Sequence, residues 1–295
     1  MARKTAADFH PDLLVLFNAY THGALDRRGF LDQARKYAVG GITAAMLLDQ
    51  LSPNFVEAQQ VSPEDTRLKT ERVPYPSPAG NEKTSGYLVR PANATGKLPS
   101  VLVVHENRGL NPHIEDIARR LALDTFMTFA PDALAAVGGY PGSEDKAREL
   151  FQTLDRAKTA EDMAAAANYL KTRPDATGKI GVVGFCWGGT VAHVLATKMP
   201  DLAAAVPFYG SAPPPAEAAK VKAALLVQLA ENDARVNDSF AAYEPALKAA
   251  GVRYEAHIYP GTGHGFNNDT TPRYDEKAAK LAWERTVAFF KKHLA

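Results

Sequence analysis

Short apolar runs and longer amphipathic stretches alternate along most of the chain. Apolar runs bounded by Gly, Pro or Asp are typical of buried strands, and apolar residues every three or four positions are typical of helices. This alternation predicts an α/β fold with a mostly parallel central sheet and helices on both faces. The predicted strands cover 86–90, 101–105, 125–130, 180–185, 204–208, 224–229 and 254–259, and the predicted helices cover 114–123, 144–171, 187–198, 239–250 and 276–293.

The first seventy or so residues follow another pattern. Helical apolar spacing covers residues 13–20 and 30–51, with Pro11, Gly23 and Pro53 as interruptions. Four prolines between residues 62 and 79 then mark a junction. The sequence therefore predicts an N-terminal helical extension, residues 1–69, followed by an α/β domain, residues 70–295.

Arg27 and Arg28, which precede the apolar run 38–48, have part of the pattern of a twin-arginine export signal. Asp26 and Asp32 flank the arginines and Asp49 closes the run, which favours a retained extension and a cytoplasmic protein. A periplasmic protein is the alternative if this segment is an export signal. No apolar run approaches the about 20 residues of a transmembrane helix, so we expect no membrane association.

Charge and cysteine content exclude several classes of protein. The 34 Lys and Arg residues balance 33 Asp and Glu residues, which does not fit a nucleic-acid partner. The single cysteine, Cys186, excludes an intrachain disulfide and a cysteine-based metal site. Neither G-x-G-x-x-G after the first strands nor a P-loop is present, so we predict no cofactor and no metal.

Cys186 lies where a predicted strand meets a predicted helix, in the sequence Gly184-Phe185-Cys186-Trp187-Gly188. Strand, tight turn and helix with G-x-C-x-G across the turn form the nucleophile elbow of α/β-hydrolases, with cysteine in the usual serine position. The helix N-terminus would help to hold a thiolate. The alternative is a buried structural cysteine. The elbow favours a catalytic nucleophile.

An acid and a histidine follow at the carboxyl ends of later strands. Asp233 comes after the strand 224–229, and His264 lies in the glycine-rich loop after the strand 254–259. The histidine would take the thiol proton while the aspartate orients it. Glu231 and Asp238 are the rivals of Asp233. We assign packing or solvated positions to the histidines His10, His22, His193, His257 and His293.

The strand 101–105 runs into a polar loop that supplies one oxyanion N–H in this fold. We predict the backbone N–H of Asn107 for this role, with that of Trp187 as the second donor. Glu106 is unexpected there, because its charge opposes an oxyanion, and this conflict argues for a role. It could instead pair with Arg108. A zinc motif H-E-x-x-H fails because Gly109 stands at the second histidine position.

Four segments together resemble the dienelactone hydrolase (carboxymethylenebutenolidase) family of the α/β-hydrolase superfamily. The resemblance covers about residues 70–295 and implies that Cys186, His264 and Asp233 form a triad, that Glu106 helps to generate the thiolate, and that an enol-lactone is cleaved through an acyl-enzyme. The segments are HENRGLN at 105–111, GFCWGG at 184–189, END at 231–233 and GHGF at 263–266.

The family holds its substrate carboxylate with arginines, one of them four residues after the catalytic histidine, where this chain has Asn268. We predict that Asn268 itself, together with Arg108, Arg148 and Arg273, binds the substrate. Without a bidentate guanidinium at this position, neutral esters or lactones are favoured as substrates. We therefore predict a hydrolase of small esters or lactones, with a homodimer allowed. The alternative is a catalytically idle α/β-hydrolase fold that acts as a binding or scaffold protein.

Overall fold

The structure is a computed structural model that describes residues 4–295. Its central element is a sheet of eight strands in the order β1-β2-β4-β3-β5-β6-β7-β8. β2 runs antiparallel to its neighbours β1 and β4, and the other neighbouring pairs are parallel, which confirms the predicted α/β class. The strands are β1 (Leu68–Pro74), β2 (Ser85–Pro91), β3 (Leu98–Val104), β4 (Met127–Pro131), β5 (Ala176–Phe185), β6 (Ala204–Phe208), β7 (Ala224–Asn232) and β8 (Tyr254–Gly263).

The described part of the N-terminal extension forms four helices: α1 (Pro11–Thr21), α2 (Arg27–Ala34), α3 (Ala44–Leu51) and α4 (Phe55–Ala58). The apolar faces of α1, α2 and α3 build a separate small core that includes Phe17, Phe30 and Leu48. The predicted helix 30–51 is interrupted, because Gly40 and Gly41 both have positive φ between α2 and α3. No helix among residues 4–295 is long and apolar enough to cross a membrane.

Helices cover both faces of the sheet. α7, α8 and α9 pack on one face and α5 and α10 on the other, and alternate strand residues feed the two cores, as Val103 and Val104 do. The helices of this α/β body are α5 (Pro112–Leu123), α6 (Glu144–Gln152), α7 (Arg156–Lys171), α8 (Trp187–Lys198), α9 (Ala234–Ala249) and α10 (Glu276–Leu294).

The α/β body shows three further differences of note from the sequence prediction. The single helix predicted over 144–171 is two helices, because Asp155 caps α7 by accepting bonds from the N–H groups of Ala157 and Lys158. α9 begins at Ala234, five residues before the predicted start at 239. β1 was not predicted, because it is an edge strand whose residues are mostly exposed and polar.

Candidate active site

β5 and α8 meet in a strained turn at Cys186. The cysteine has φ 56° and ψ −112°, a conformation that L-residues rarely adopt. A Cβ at Gly184 would lie 1.9 Å from the carbonyl oxygen of Gly188, and a Cβ at Gly188 would lie 2.3 Å from that of Val104. Only glycine fits at these two positions. The turn places the thiol of Cys186 at the N-terminus of α8, at the carboxyl edge of the sheet.

His264 and Asp233 meet at the same edge. The loop after β8 carries His264, and Asp233 lies between β7 and α9. Nδ1 of His264 lies 2.6 Å from Oδ2 of Asp233, and both side chains are buried. Glu231, the nearer rival, instead accepts a bond from the Gly261 N–H at 2.8 Å. Because the carboxylate accepts the Nδ1 proton, Nε2 of His264 is left to face Cys186.

A second histidine reaches the site from the N-terminal extension. Nε2 of His22 lies 3.5 Å from Sγ of Cys186 and 3.2 Å from Nε2 of His264. The sequence-based assignment of His22 to a packing or solvated position is therefore wrong. His22 caps the C-terminus of α1, 164 residues before the cysteine, and no local motif marks such a long-range approach. Its place beside Gly23, just past a predicted helix end, was the only signal in the sequence.

The surroundings shift the ionisation of Cys186 and of His264. Burial opposes a thiolate at Cys186, but the charge of His264 and hydrogen bonding with both imidazoles lower the pKa of the thiol to about 5. Burial also opposes an imidazolium at His264, but the thiolate and the hydrogen bond to Asp233 raise the pKa of this imidazole to about 9. Both shifts favour the pair of thiolate and imidazolium over the neutral thiol and imidazole.

Glu106 and Cys186 line the same small pocket, here called the inner pocket. Its Oε2 accepts a bond from Nδ2 of Asn268 at 3.1 Å, and Oδ1 of Asn268 in turn accepts the Thr270 N–H at 3.0 Å. Asn268 therefore orients this carboxylate. Arg108 pairs with Glu144 at 3.5 Å rather than with Glu106.

The three candidate substrate arginines all contact α1. Arg108 donates to the carbonyl of Thr21 at 2.9 Å, and Arg148 donates to that of Tyr20 at 2.7 Å. The guanidinium of Arg273 lies 5.2 Å from the ring centre of Phe17. Two arginines thus bind the negative end of the α1 dipole.

Of the two predicted oxyanion donors, Trp187 follows Cys186 directly in the sequence, and Asn107 lines both pockets at Cys186. Trp187 is the first residue of α8, and its indole stacks on His105 with ring centres 5.2 Å apart. The Asn107 side chain donates to the carbonyl of Thr21 at 3.0 Å. The roles of their backbone N–H groups stay predictions.

Two pockets adjoin Cys186. The inner one, lined by Glu106, Asn268 and Arg273, encloses about 40 Å³, and the outer one, lined by Trp187 and Arg148, encloses about 650 Å³. Only the outer pocket has the size of a ligand site. Four residues line both pockets and lie where the two meet: His22, Asn107, Cys186 and His264.

Comparisons with known proteins cover both regions of the chain. The model of the dienelactone hydrolase family matches residues 84–294, and a model described as YqhI-like matches residues 1–40. An Escherichia coli K12 protein described as "Putative hydrolase fragment YghX" is 54% identical over 114 residues, which are 39% of this chain and 97% of that protein.

Two further similarities cover the α/β body. A Salmonella typhi protein described as "Putative carboxymethylenebutenolidase" is 30% identical over 72% of this chain and 84% of its own length. A crystal structure described as "Putative Dienelactone Hydrolase", from Klebsiella pneumoniae, is 30% identical and superimposes with a TM-score of 0.67 over 76% of this chain and 99% of that one.

Proposed function

The chain belongs to the dienelactone hydrolase family, and from that premise we propose that it hydrolyses small carboxylic esters or lactones with Cys186 as nucleophile. The observation that carries the proposal is the 2.6 Å bond between His264 and Asp233 beside a cysteine in a strained turn. Cysteine, histidine and aspartate in this relation are the parts of a nucleophilic triad.

In the first half-reaction, the thiolate of Cys186 attacks the carbonyl carbon of the substrate and a C–S bond forms. The tetrahedral intermediate collapses, the C–O bond to the leaving alkoxide breaks, and the imidazolium of His264 gives its Nε2 proton to that oxygen. Asp233 keeps the imidazole in the required tautomer throughout. The product of this step is a thioester on Cys186.

In the second half-reaction, neutral His264 takes a proton from water as the water oxygen attacks the thioester carbonyl. The C–S bond breaks, the acid product leaves, and the thiolate–imidazolium pair is restored. We assign stabilisation of both oxyanions to the backbone N–H groups of Trp187 and Asn107. The N-terminus of α8, which begins at Trp187, adds a favourable dipole.

Glu106 has a proton-accepting role in this proposal. Its carboxylate lines the inner pocket with Cys186 and is oriented by Asn268. A carboxylate in the same pocket can take the thiol proton in molecules whose Cys186 is still protonated when substrate binds, and so adds to the thiolate that His264 provides. Asn268 thereby acts on Glu106 rather than on a substrate carboxylate.

The outer pocket has the volume for a small substrate, about 650 Å³. Its lining combines apolar side chains, among them Trp187 and Phe151, with three arginines, Arg148, Arg156 and Arg235. Arg148, the candidate partner for a substrate carboxylate in this pocket, already donates to Tyr20. We therefore place neutral esters and lactones ahead of diacid lactones.

Intact-mass spectrometry after brief mixing with p-nitrophenyl acetate tests the proposal. We expect wild type to gain one acetyl group transiently and to release p-nitrophenolate, because a thioester forms before water attacks. The Cys186→Ala variant should gain no mass and remain folded. If wild type stays unmodified and inert, the hydrolase is excluded and the binding-protein alternative takes its place.

A further inference from the structure

Three metal-binding atoms converge at the point where the N-terminal extension meets the α/β body. Nε2 of His22, Sγ of Cys186 and Nε2 of His264 all lie within 4.8 Å of one another. Imidazole nitrogen and thiolate sulfur are the ligands that Zn²⁺ prefers. A single cysteine argues against a site built from cysteines, but one cysteine together with two histidines supplies three ligands.

Two of the three distances between these atoms match those around one tetrahedral ion, and the third, from Sγ of Cys186 to Nε2 of His264, is at most 4.8 Å. Zn²⁺ binds nitrogen at about 2.0–2.1 Å and sulfur at about 2.3 Å, so two ligand nitrogens lie about 3.4 Å apart and sulfur and nitrogen about 3.6 Å apart. The two nitrogens here are 3.2 Å apart, and Sγ is 3.5 Å from Nε2 of His22.

The other ring nitrogens fix both tautomers in the form that a metal needs. Nδ1 of His22 lies 2.8 Å from the carbonyl oxygen of Asn18, and Nδ1 of His264 lies 2.6 Å from the carboxylate of Asp233. Both partners only accept, so each Nδ1 carries a proton and each neutral ring presents a bare Nε2 to the other. Histidine ligands of metals are oriented by such carbonyl and carboxylate partners.

In the absence of a metal, one proton must therefore serve three acceptor atoms. In the thiolate–imidazolium state this proton is on His264. We propose that Zn²⁺ binds His22, Cys186 and His264 in a mixed Cys–His₂ site, displaces that one proton to solvent, and leaves a fourth position for water or a small ligand. The extension supplies one ligand and the α/β body the other two.

Such a site would switch off the hydrolase. The ion occupies the lone pairs that Cys186 and His264 need for attack and proton transfer, so one bound equivalent blocks acylation and a chelator restores it. This consequence rests on the proposed function, whereas metal binding itself does not. The test therefore reads binding and acylation separately.

Titration of chelator-treated full-length protein with CoCl₂ and then ZnCl₂ measures binding directly. A thiolate–cobalt charge-transfer band that saturates at one equivalent and is lost on adding Zn²⁺ is expected for wild type. The Cys186→Ala variant should show no band. His22→Ala should bind more weakly by more than the about 10–100-fold that loss of an outer-shell partner costs, because it removes a ligand.

His257→Ala is the matched control, because His257 lies on β8 near Glu255 and outside the site. It should bind like wild type. If His22→Ala does not fold, His22→Gln replaces it with the same expectation. A wild-type protein without the band, or a band of equal affinity in the His22 variant, overturns the proposal.

Acylation by p-nitrophenyl acetate with and without one equivalent of ZnCl₂ separates the two proposals. Zn²⁺ should abolish acylation of wild type, and each variant is compared with its own metal-free rate. A protein that binds Co²⁺ through the thiolate but never acylates keeps the metal site and contradicts the hydrolase. A protein that acylates but gives no cobalt band keeps the hydrolase and contradicts the metal site.

Discussion

Helices α1, α2 and α3 of the N-terminal extension have a core separate from those of the α/β body, although Val61 and Leu68 at the end of the extension pack into one of the body's cores. Phe17 and Phe30 belong to the core of the extension, which is separate from the two cores on the faces of the sheet. Contacts between the regions include bonds from Arg108 and Arg148 to carbonyls of α1 and an ion pair between Arg27 and Asp145 at 2.7 Å.

The α/β body builds the nucleophile and its triad partners, whereas the extension supplies a residue that acts on them. Strands and helices with fully buried cores hold Cys186, Asp233 and His264, as a precise catalytic geometry requires. His22 of the extension is held in the site by its place at the end of α1 and by the hydrogen bond from its Nδ1 to the Asn18 carbonyl. Its placement can therefore change at lower cost than that of the triad residues.

The largest expected effect is on stability, and it tests whether the extension can unfold while the α/β body stays folded. Phe30→Ala removes a fully buried ring from the extension and should destabilise it by about 3–5 kcal/mol. Hydrogen exchange read by mass spectrometry should show faster exchange in α1, α2 and α3 with the sheet still protected. Phe290→Ala, at an equally buried position in the body, is the control and should weaken protection across the sheet. Equal loss in both regions of the Phe30 variant would show that they unfold as one unit.

Sequence patterns predicted the body better than the extension because local chemistry determines its key features. The elbow at Cys186 is visible in five consecutive residues, and Asp233 and His264 each follow an apolar strand. His22 could not be predicted in this way, since its partner His264 lies 242 residues further along the chain. The alternative of Glu106 pairing with Arg108 was open in the sequence, and the ion pair with Glu144 depends on packing of α6.

Asp233→Asn tests the part of the site that the body supplies alone. Losing the carboxylate removes the support for the imidazolium of His264, so kcat/KM for p-nitrophenyl acetate should fall by about 100-fold or more. Glu231→Gln is the matched control, because Glu231 is exposed and bonds the Gly261 N–H instead. Similar losses in the two variants would show that Asp233 is not the residue that orients His264.

Glu106→Gln has a smaller expected effect. Below pH 5, where part of the Cys186 thiol is protonated, the rate of its alkylation by iodoacetamide should fall by up to about 10-fold. The loss stays below the full contribution of a general base, because His264 still accepts the thiol proton. Asn268→Ala, which only frees the Glu106 carboxylate, should cause a smaller loss in the same direction. An unchanged rate in the Glu106 variant would remove the role proposed for this residue.

The pH dependence of iodoacetamide alkylation in wild type tests the central claim, that two imidazoles from two regions keep Cys186 as a thiolate. Because the pKa of the thiol is lowered to about 5, the rate should be half-maximal near pH 5, fall below it and stay level through neutral pH. A midpoint near the ordinary thiol value of about 8.5 would contradict the account.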